Sequence, residues 1–300
     1  MLPNFLIVGA AKSGTTSLYH YLSEHPQIFM SALKEPKFLS SDYLKFPLKG
    51  NNDQISERAI VKDFDEYQKL FIEAKSYKAI GEASPDTLYF HKGTVPTIKK
   101  VLDEPRIIII LRNPVDRAFS NYTYQVISNR ENLTFEQALD QEQHRIANNW
   151  SFIWGYQDLG FYYEQVKTFL DNFSQVKVCL YENLESDPLK LITDIYHFLR
   201  VDISYIPDLE KIHNRSGIPK SRLLHNLLTQ SSPIKKWIKP MMLSLVSRET
   251  IQRFRTKVFD QNLTKLDLSS GTRKKLIQLY REDVLKLQEL IKRDLSHWIR

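Results

Sequence analysis

The chain has 300 residues, 42% hydrophobic, a length and apolar content that suit one α/β domain with a large core. Its single cysteine, Cys179, excludes a disulfide framework, and no apolar run approaches the ~20 residues of a membrane-crossing helix. The net charge of +7 is scattered rather than blocked, with no zinc-finger spacing, RNP signature or basic zipper, so nucleic acid is not an expected partner.

The first element is a short apolar run, Phe5–Val8, that breaks into a small-residue loop from Gly9 to Gly14. A helical pattern begins at Thr15 and runs to Glu24. Strand, small-residue loop and helix start make a phosphate cradle, because backbone N–H groups and the helix dipole favour an anion there. Lys12 adds a positive charge, and Ser13, Thr15, Thr16 and Ser17 add hydroxyls beside Gly14. The loop is close to a Walker A motif, G-x-x-x-x-G-K-[ST], but Thr15 follows Gly14 and the lysine has moved back to position 12.

Further along, strands are expected near Ile28 and at Lys78–Gly81, Arg106–Leu111 and Val176–Tyr181. Helices are expected at Asp65–Glu73, Val95–Leu102, Val115–Ser128, Phe135–Arg145, Tyr156–Asn172 and Pro188–Leu199. The segment Asp42–Lys62 has no clear period and reads as a loop. The last third reads as helical, at Ser221–Leu228, Ile234–Leu245, Ser247–Phe259 and Thr272–Ile291. Strands joined by helices argue for a P-loop-like α/β fold: a parallel sheet flanked by helices, with a helical C-terminal third. No linker marks a second domain, so residues 1–300 are expected to form one.

The run Ile107–Leu111 reads as a strand buried on both faces, and it ends in Arg112-Asn113-Pro114. Ligands of open α/β sheets bind beyond the carboxyl ends of strands. Arg112 sits at such an end and Ser120 lies in the helix that follows, so the two are candidates for a second phosphate.

These two segments resemble the sulfotransferases that use 3′-phosphoadenosine 5′-phosphosulfate (PAPS). Gly9-Ala-Ala-Lys-Ser-Gly-Thr-Thr-Ser-Leu18 is similar to the family loop that holds the 5′-phosphosulfate. Leu111-Arg-Asn-Pro-Val-Asp-Arg-Ala-Phe-Ser120 is similar to the segment that holds the 3′-phosphate. The likeness is strongest to the branch of heparan sulfate N- and O-sulfotransferases and soluble bacterial enzymes. Gly81-Glu-Ala-Ser-Pro-Asp-Thr-Leu-Tyr89, Leu180-Tyr-Glu-Asn-Leu-Glu-Ser-Asp-Pro188 and the tail around Tyr280 support it, so that nearly the whole chain is covered.

The resemblance implies a site. Lys12 becomes the group that stabilises the leaving phosphate, and Ser13, Gly14, Thr15, Thr16 and Ser17 become the 5′-phosphate cradle. Glu35, in Lys34-Glu-Pro-Lys-Phe-Leu39, matches the family's catalytic base. Lys37 stands where some O-sulfotransferases have a histidine. Its charge would lower the Glu35 pKa and burial would raise it. Glu82 is the rival carboxylate, for support, for substrate contact or as the base itself. Ala83 follows it where related enzymes often have lysine. Late in the chain, Lys220 and Arg222 are candidates for the nucleotide, beside the equal reading of Ser221 as a helix cap. Trp150 and Trp154 are candidates for an acceptor pocket wall.

The expected enzyme moves a sulfuryl group from PAPS to a hydroxyl or amine, first of a carbohydrate and second of another small molecule. No metal-ligand spacing is present, so no metal is expected. No signal peptide or membrane anchor is evident, which points to the cytoplasm, and nothing sets an oligomeric state. Two rivals come from other classes. A P-loop kinase or NTPase predicts lysine directly after Gly14. A non-catalytic polyanion-binding protein leaves two strand-end phosphate sites unexplained.

Overall fold

A computed structural model describes residues 1–209 and 267–300, together with two short strands, Ile218–Pro219 and Leu263–Thr264. The expected helices between residues 221 and 259 lie outside the described residues.

Five parallel strands build the sheet: β1 (Phe5–Gly9), β2 (Ile28–Met30), β3 (Ala79–Ala83), β4 (Arg106–Leu111) and β5 (Val176–Leu180). Their spatial order is β2-β3-β1-β4-β5, so the first strand lies in the centre. Phe5 sits opposite Gly81 on one side and Arg106 on the other, and Ile107 opposite Val176 fixes β5. The order brings the loop after β1 between the carboxyl ends of β3 and β4. Ile107 to Leu111 are wholly buried, as a strand covered on both faces requires. Cys179 is buried in β5, where burial pushes its thiol up to about 11, and it is unpaired.

Helices Thr15–Ser23 and Pro188–Leu199 pack on one face through Leu18, Leu22, Ile192 and Ile195. Pro188 begins the latter helix and the Asp187 side chain accepts from the Lys190 N–H, a proline start with an acidic cap. Helix Pro114–Ile127 starts the same way, with Asn113 Oδ1 accepting from the Val115 N–H at 3.0 Å.

Several helices differ from expectation. Phe135–Arg145 divides into Phe135–Asp140 and Glu142–Ala147. Glu142 is buried at the division, and its carboxylate accepts from the N–H groups of Gln157 and Asp158. The helix expected from Tyr156 begins at Tyr163. Asp283, on the long helix Ser270–Ile291, caps that start by accepting from the N–H groups of Tyr162 and Tyr163. Tyr280 of the same helix lies against Gly160, where a Cβ would come within 2.8 Å of its ring, and donates to the Gln157 carbonyl. The Asp42–Lys62 segment holds a short helix, Asp53–Glu57, and the turn Phe38–Tyr43 overlaps its start.

The chain divides into two compact units. One contains the sheet: Met1–Tyr122, Leu133–Asn214 and Ser269–Arg300. The other is Thr123–Asn132 with Arg215–Leu268, and within it Ile218–Pro219 pairs antiparallel with Leu263–Thr264.

Candidate functional site

The loop after β1 has the form the sequence implies. Gly14 caps helix Thr15–Ser23 in the left-handed region, φ 97°, and offers no side chain to its first turn. A Cβ there would come within 2.8 Å of Leu184 and 3.0 Å of Tyr181, so glycine is required on both counts. Ser13 is wholly buried and its hydroxyl has no hydrogen-bond partner among the described residues. Thr15 is buried, while Thr16 and Ser17 are half-buried. A helix start without a side-chain cap, beside an unpartnered buried hydroxyl, fits a phosphate.

Arg112, at the end of β4, reaches the same loop. Its Nη1 donates to the Lys12 carbonyl at 3.4 Å, and its guanidinium stacks 4.3 Å from the Tyr181 ring centroid. Ser120 follows on helix Pro114–Ile127, half-buried. Burial pushes Lys12 down to about 8, with Arg112, Lys34 and Arg117 acting in the same direction and Glu35 opposing. A lysine buried beside the Arg112 guanidinium is suited to an anionic ligand.

Glu35 follows β2 and hangs from the end of β3, its N–H donating to the Ala83 carbonyl at 3.1 Å. Lys34 Nζ lies 2.6 Å from one carboxylate oxygen and Lys37 Nζ 3.8 Å from the other. Burial alone would raise the Glu35 pKa. Lys34, Lys37 and Lys12 outweigh it, so the group sits below the ordinary glutamate value and is ionised at neutral pH. Glu35 and Lys37 both have left-handed backbones, φ 60° and 56°. The turn is held from β3: the Lys37 N–H donates to Ser84 Oγ at 3.3 Å, and Ser40 Oγ bridges the Lys37 carbonyl and the buried Asp86 carboxylate.

Glu82 differs in kind. It is 2% exposed, and burial with the neighbouring Asp86 pushes it up to about 8, so it is largely protonated at neutral pH. One of its oxygens and one of Asp86 have no hydrogen-bond partner among the described residues. Its carboxyl lies at the end of β3, buried beside the Asp86 that anchors the turn carrying Glu35.

The family profile described as Sulfotransferase domain matches residues 2–253. The chain belongs to the sulfotransferase family. A crystal structure of a sulfotransferase from Alicyclobacillus acidocaldarius superposes with a TM-score of 0.80 at 32% identity, covering 100% of both chains. The membrane-associated sulfotransferase kil1 of Dictyostelium discoideum is 34% identical over 126 residues, which is 42% of this chain and 23% of that protein. Mouse heparan sulfate glucosamine 3-O-sulfotransferase 3B1 is 27% identical over 207 residues, 66% of this chain and 46% of that protein. The chain therefore spans less than half the length of these two relatives.

The rest of this sulfotransferase's expected site divides in two. Trp154 is 1% exposed, its indole N–H donates to Asp53 at 3.0 Å, and Asp53 also accepts from the Ser151 N–H. It is a core side chain and not a pocket wall, which corrects the expectation. Trp150 is half-buried against Trp154, with Arg145 over both rings at 4.9 Å, so it belongs to the same packing cluster. Lys220 and Arg222 lie outside the described residues. Sequence reasoning overlooked Asp86 and Ser40, although the Glu82-Ala-Ser-Pro-Asp86 spacing after a strand was a usable signal. It also overlooked Tyr181, whose ring carries Arg112.

Among the described residues no helix is long and apolar enough to cross a membrane, and no group of three or more His, Cys, Asp or Glu could hold a metal ion.

Proposed function

We propose that this chain is a PAPS-dependent sulfotransferase in which residues 1–300 serve one sulfotransferase domain. The observation that carries the reading is the meeting of the β1 loop and Arg112, where a guanidinium reaches within 3.4 Å of the Lys12 carbonyl. Two cations from neighbouring strands thus face one edge of the sheet, as a ligand with phosphates at both ends demands. Ser13 to Ser17 take the 5′-phosphate and Arg112 with Ser120 the 3′-phosphate.

When bound, PAPS supplies a sulfuryl group joined to a phosphate oxygen. Transfer breaks that S–O bond, forms a bond from the acceptor oxygen or nitrogen to sulfur, and releases the acceptor proton. Glu35, ionised between its lysines, takes the proton. Lys12 holds positive charge beside the departing oxygen. Glu82, Asp86, Ser84 and Ser40 hold the turn that carries Glu35. Lys37, 3.8 Å from Glu35, faces the acceptor. The acceptor is a carbohydrate, a reading supported by the heparan sulfate glucosamine named for the mouse relative. A cytoplasmic location completes the proposal.

Calorimetric titration with PAP, and with ATP and Mg²⁺, tests the donor assignment. Tight PAP binding with weak ATP binding supports it. Tighter binding of ATP with Mg²⁺ returns the chain to the kinase class.

A further inference from the structure

Beside the catalytic turn lies a second opening, a cleft of about 490 Å³. Its walls carry the rings of Tyr43, Tyr89, Phe90 and Phe161 and the carboxylates Asp158 and Glu164. The topology puts it at the functional edge of the sheet. Helix His91–Leu102 leads into β4 and helix Tyr163–Asn172 leads into β5, so both helix starts lie at the carboxyl ends of the parallel strands. Those starts line part of the cleft, through His91, Lys92 and Gly93 on one helix and Glu164 and Gln165 on the other. Tyr43 closes the turn that begins three residues after Glu35.

One ring touches both the catalytic turn and the cleft lining. Phe152 has Lys37 Nζ 5.2 Å from its centroid, and the Tyr89 ring stacks on it at 6.0 Å. The Tyr89 hydroxyl donates to Asp158 at 2.5 Å, which fixes one ring edge-on to a carboxylate. Gly93 lets Tyr43 lie flat against the helix, since a Cβ there would come within 2.4 Å of its ring.

We infer that this cleft is the subsite for the remote part of the acceptor, and that it takes an uncharged saccharide chain rather than a polyanionic one. The inference rests on the sulfotransferase reading of the neighbouring site. Aromatic faces stack on the C–H faces of sugars, and carboxylates accept from sugar hydroxyls. The charge decides between saccharide classes. Helix starts favour anions, but Glu164 already stands in the first turn of helix Tyr163–Asn172, and Asp158 adds a second carboxylate to the lining, so an acidic sugar would meet two negative charges. His91 adds little opposing charge: burial lowers its pKa and its Nδ1 is engaged by Thr168 Oγ1 at 2.7 Å. Lys92 is the one exposed cation of the lining.

Calorimetry on the full chain with PAP present tests this, using maltohexaose, cellohexaose and chitohexaose against heparosan hexasaccharide and free glucose. At least one neutral hexamer is expected to bind more tightly than glucose and than heparosan. Tyr43→Ala and Phe161→Ala are each expected to weaken that binding by roughly 3- to 10-fold, the worth of one aromatic contact. Glu164→Lys is expected to improve heparosan binding. Tyr43 is 40% exposed, so its loss leaves the fold intact, and unchanged PAP affinity in each variant verifies that. Preference for heparosan, no hexamer binding, or ring variants that bind as the parent does would overturn the subsite. Normal PAP binding alongside that result leaves the donor reading standing, whereas failure to bind PAP sinks the donor reading itself.

Discussion

Replacing Arg112 by alanine is expected to separate the two ends of the proposed donor. In the free protein the guanidinium makes a 3.4 Å hydrogen bond, at the long limit of such contacts, and a ring contact at 4.3 Å. The ring contact is worth ~0.5–1 kcal/mol at a partly exposed site. The fold therefore loses about 1 kcal/mol, a fall of roughly 1–2 °C in Tm for a chain of this length. The ligand loses far more. A hydrogen bond to a charged group contributes ~1.5–3 kcal/mol, so PAP affinity is expected to fall about 10- to 150-fold. Adenosine 5′-phosphosulfate has no 3′-phosphate, and its affinity is expected to stay within about a factor of two. Isothermal titration of both ligands on parent and variant reads the difference. Equal losses for the two would show that Arg112 supports the loop rather than the 3′-phosphate, and the assignment would be wrong.

Other expectations follow from the carboxylates and from Lys12. Glu35→Gln is expected to lower kcat by ~10²–10⁴-fold with PAP affinity retained, read by mass spectrometry of the sulfated product; a mild loss there with a dead Glu82→Gln enzyme would reverse the roles. Lys12 titrates at about 8 and acts as a cation, so kcat/KM is expected to fall as pH rises through that value, and a flat profile to pH 9.5 would count against it. Glu82 shifts from 4.5 to about 8 on folding, so its contribution is fully present below 4.5 and is lost as pH rises through about 8. The loss across that window is roughly 5 kcal/mol at most, and chemical denaturation should find Glu82→Gln with a flatter pH dependence. With Lys12 proposed to supply positive charge at the leaving side, turnover is expected to survive EDTA, and loss restored by Mg²⁺ would revive the kinase reading.

What the sequence revealed was mostly local. The isoleucine run of β4 matched its strand to the residue because both faces are buried, and such a run has few other uses. The Gly9–Gly14 loop was legible because strand, loop and helix start are consecutive. Its neighbour Arg112 was legible as a strand end, but its stacking on Tyr181 was not, since that ring arrives from β5. Trp154 misled for the same reason. Its partner Asp53 lies in a segment without any period, and only the fold brings the two together. The start of helix Tyr163–Asn172 is also decided from afar, by a carboxylate on the C-terminal helix. The balance of charges on Glu35 needed distances to three lysines, which no spacing supplies.

That C-terminal helix carries a practical lesson about where to cut. The family profile stops at residue 253, yet Asp283 and Tyr280 satisfy the backbone of residues 157–163 on the sheet unit. Tyr162 in turn donates its hydroxyl to the Arg112 carbonyl at 3.0 Å. An expression fragment trimmed to the profile's boundary would strip the cap from the start of helix Tyr163–Asn172 and slacken the grip on the strand end that presents Arg112. It would resemble a whole family domain on paper while binding PAP poorly in the tube. Fragments meant for screening or for grafting onto other enzymes must run through Trp298, whose indole N–H anchors the tail to Glu182 beside β5.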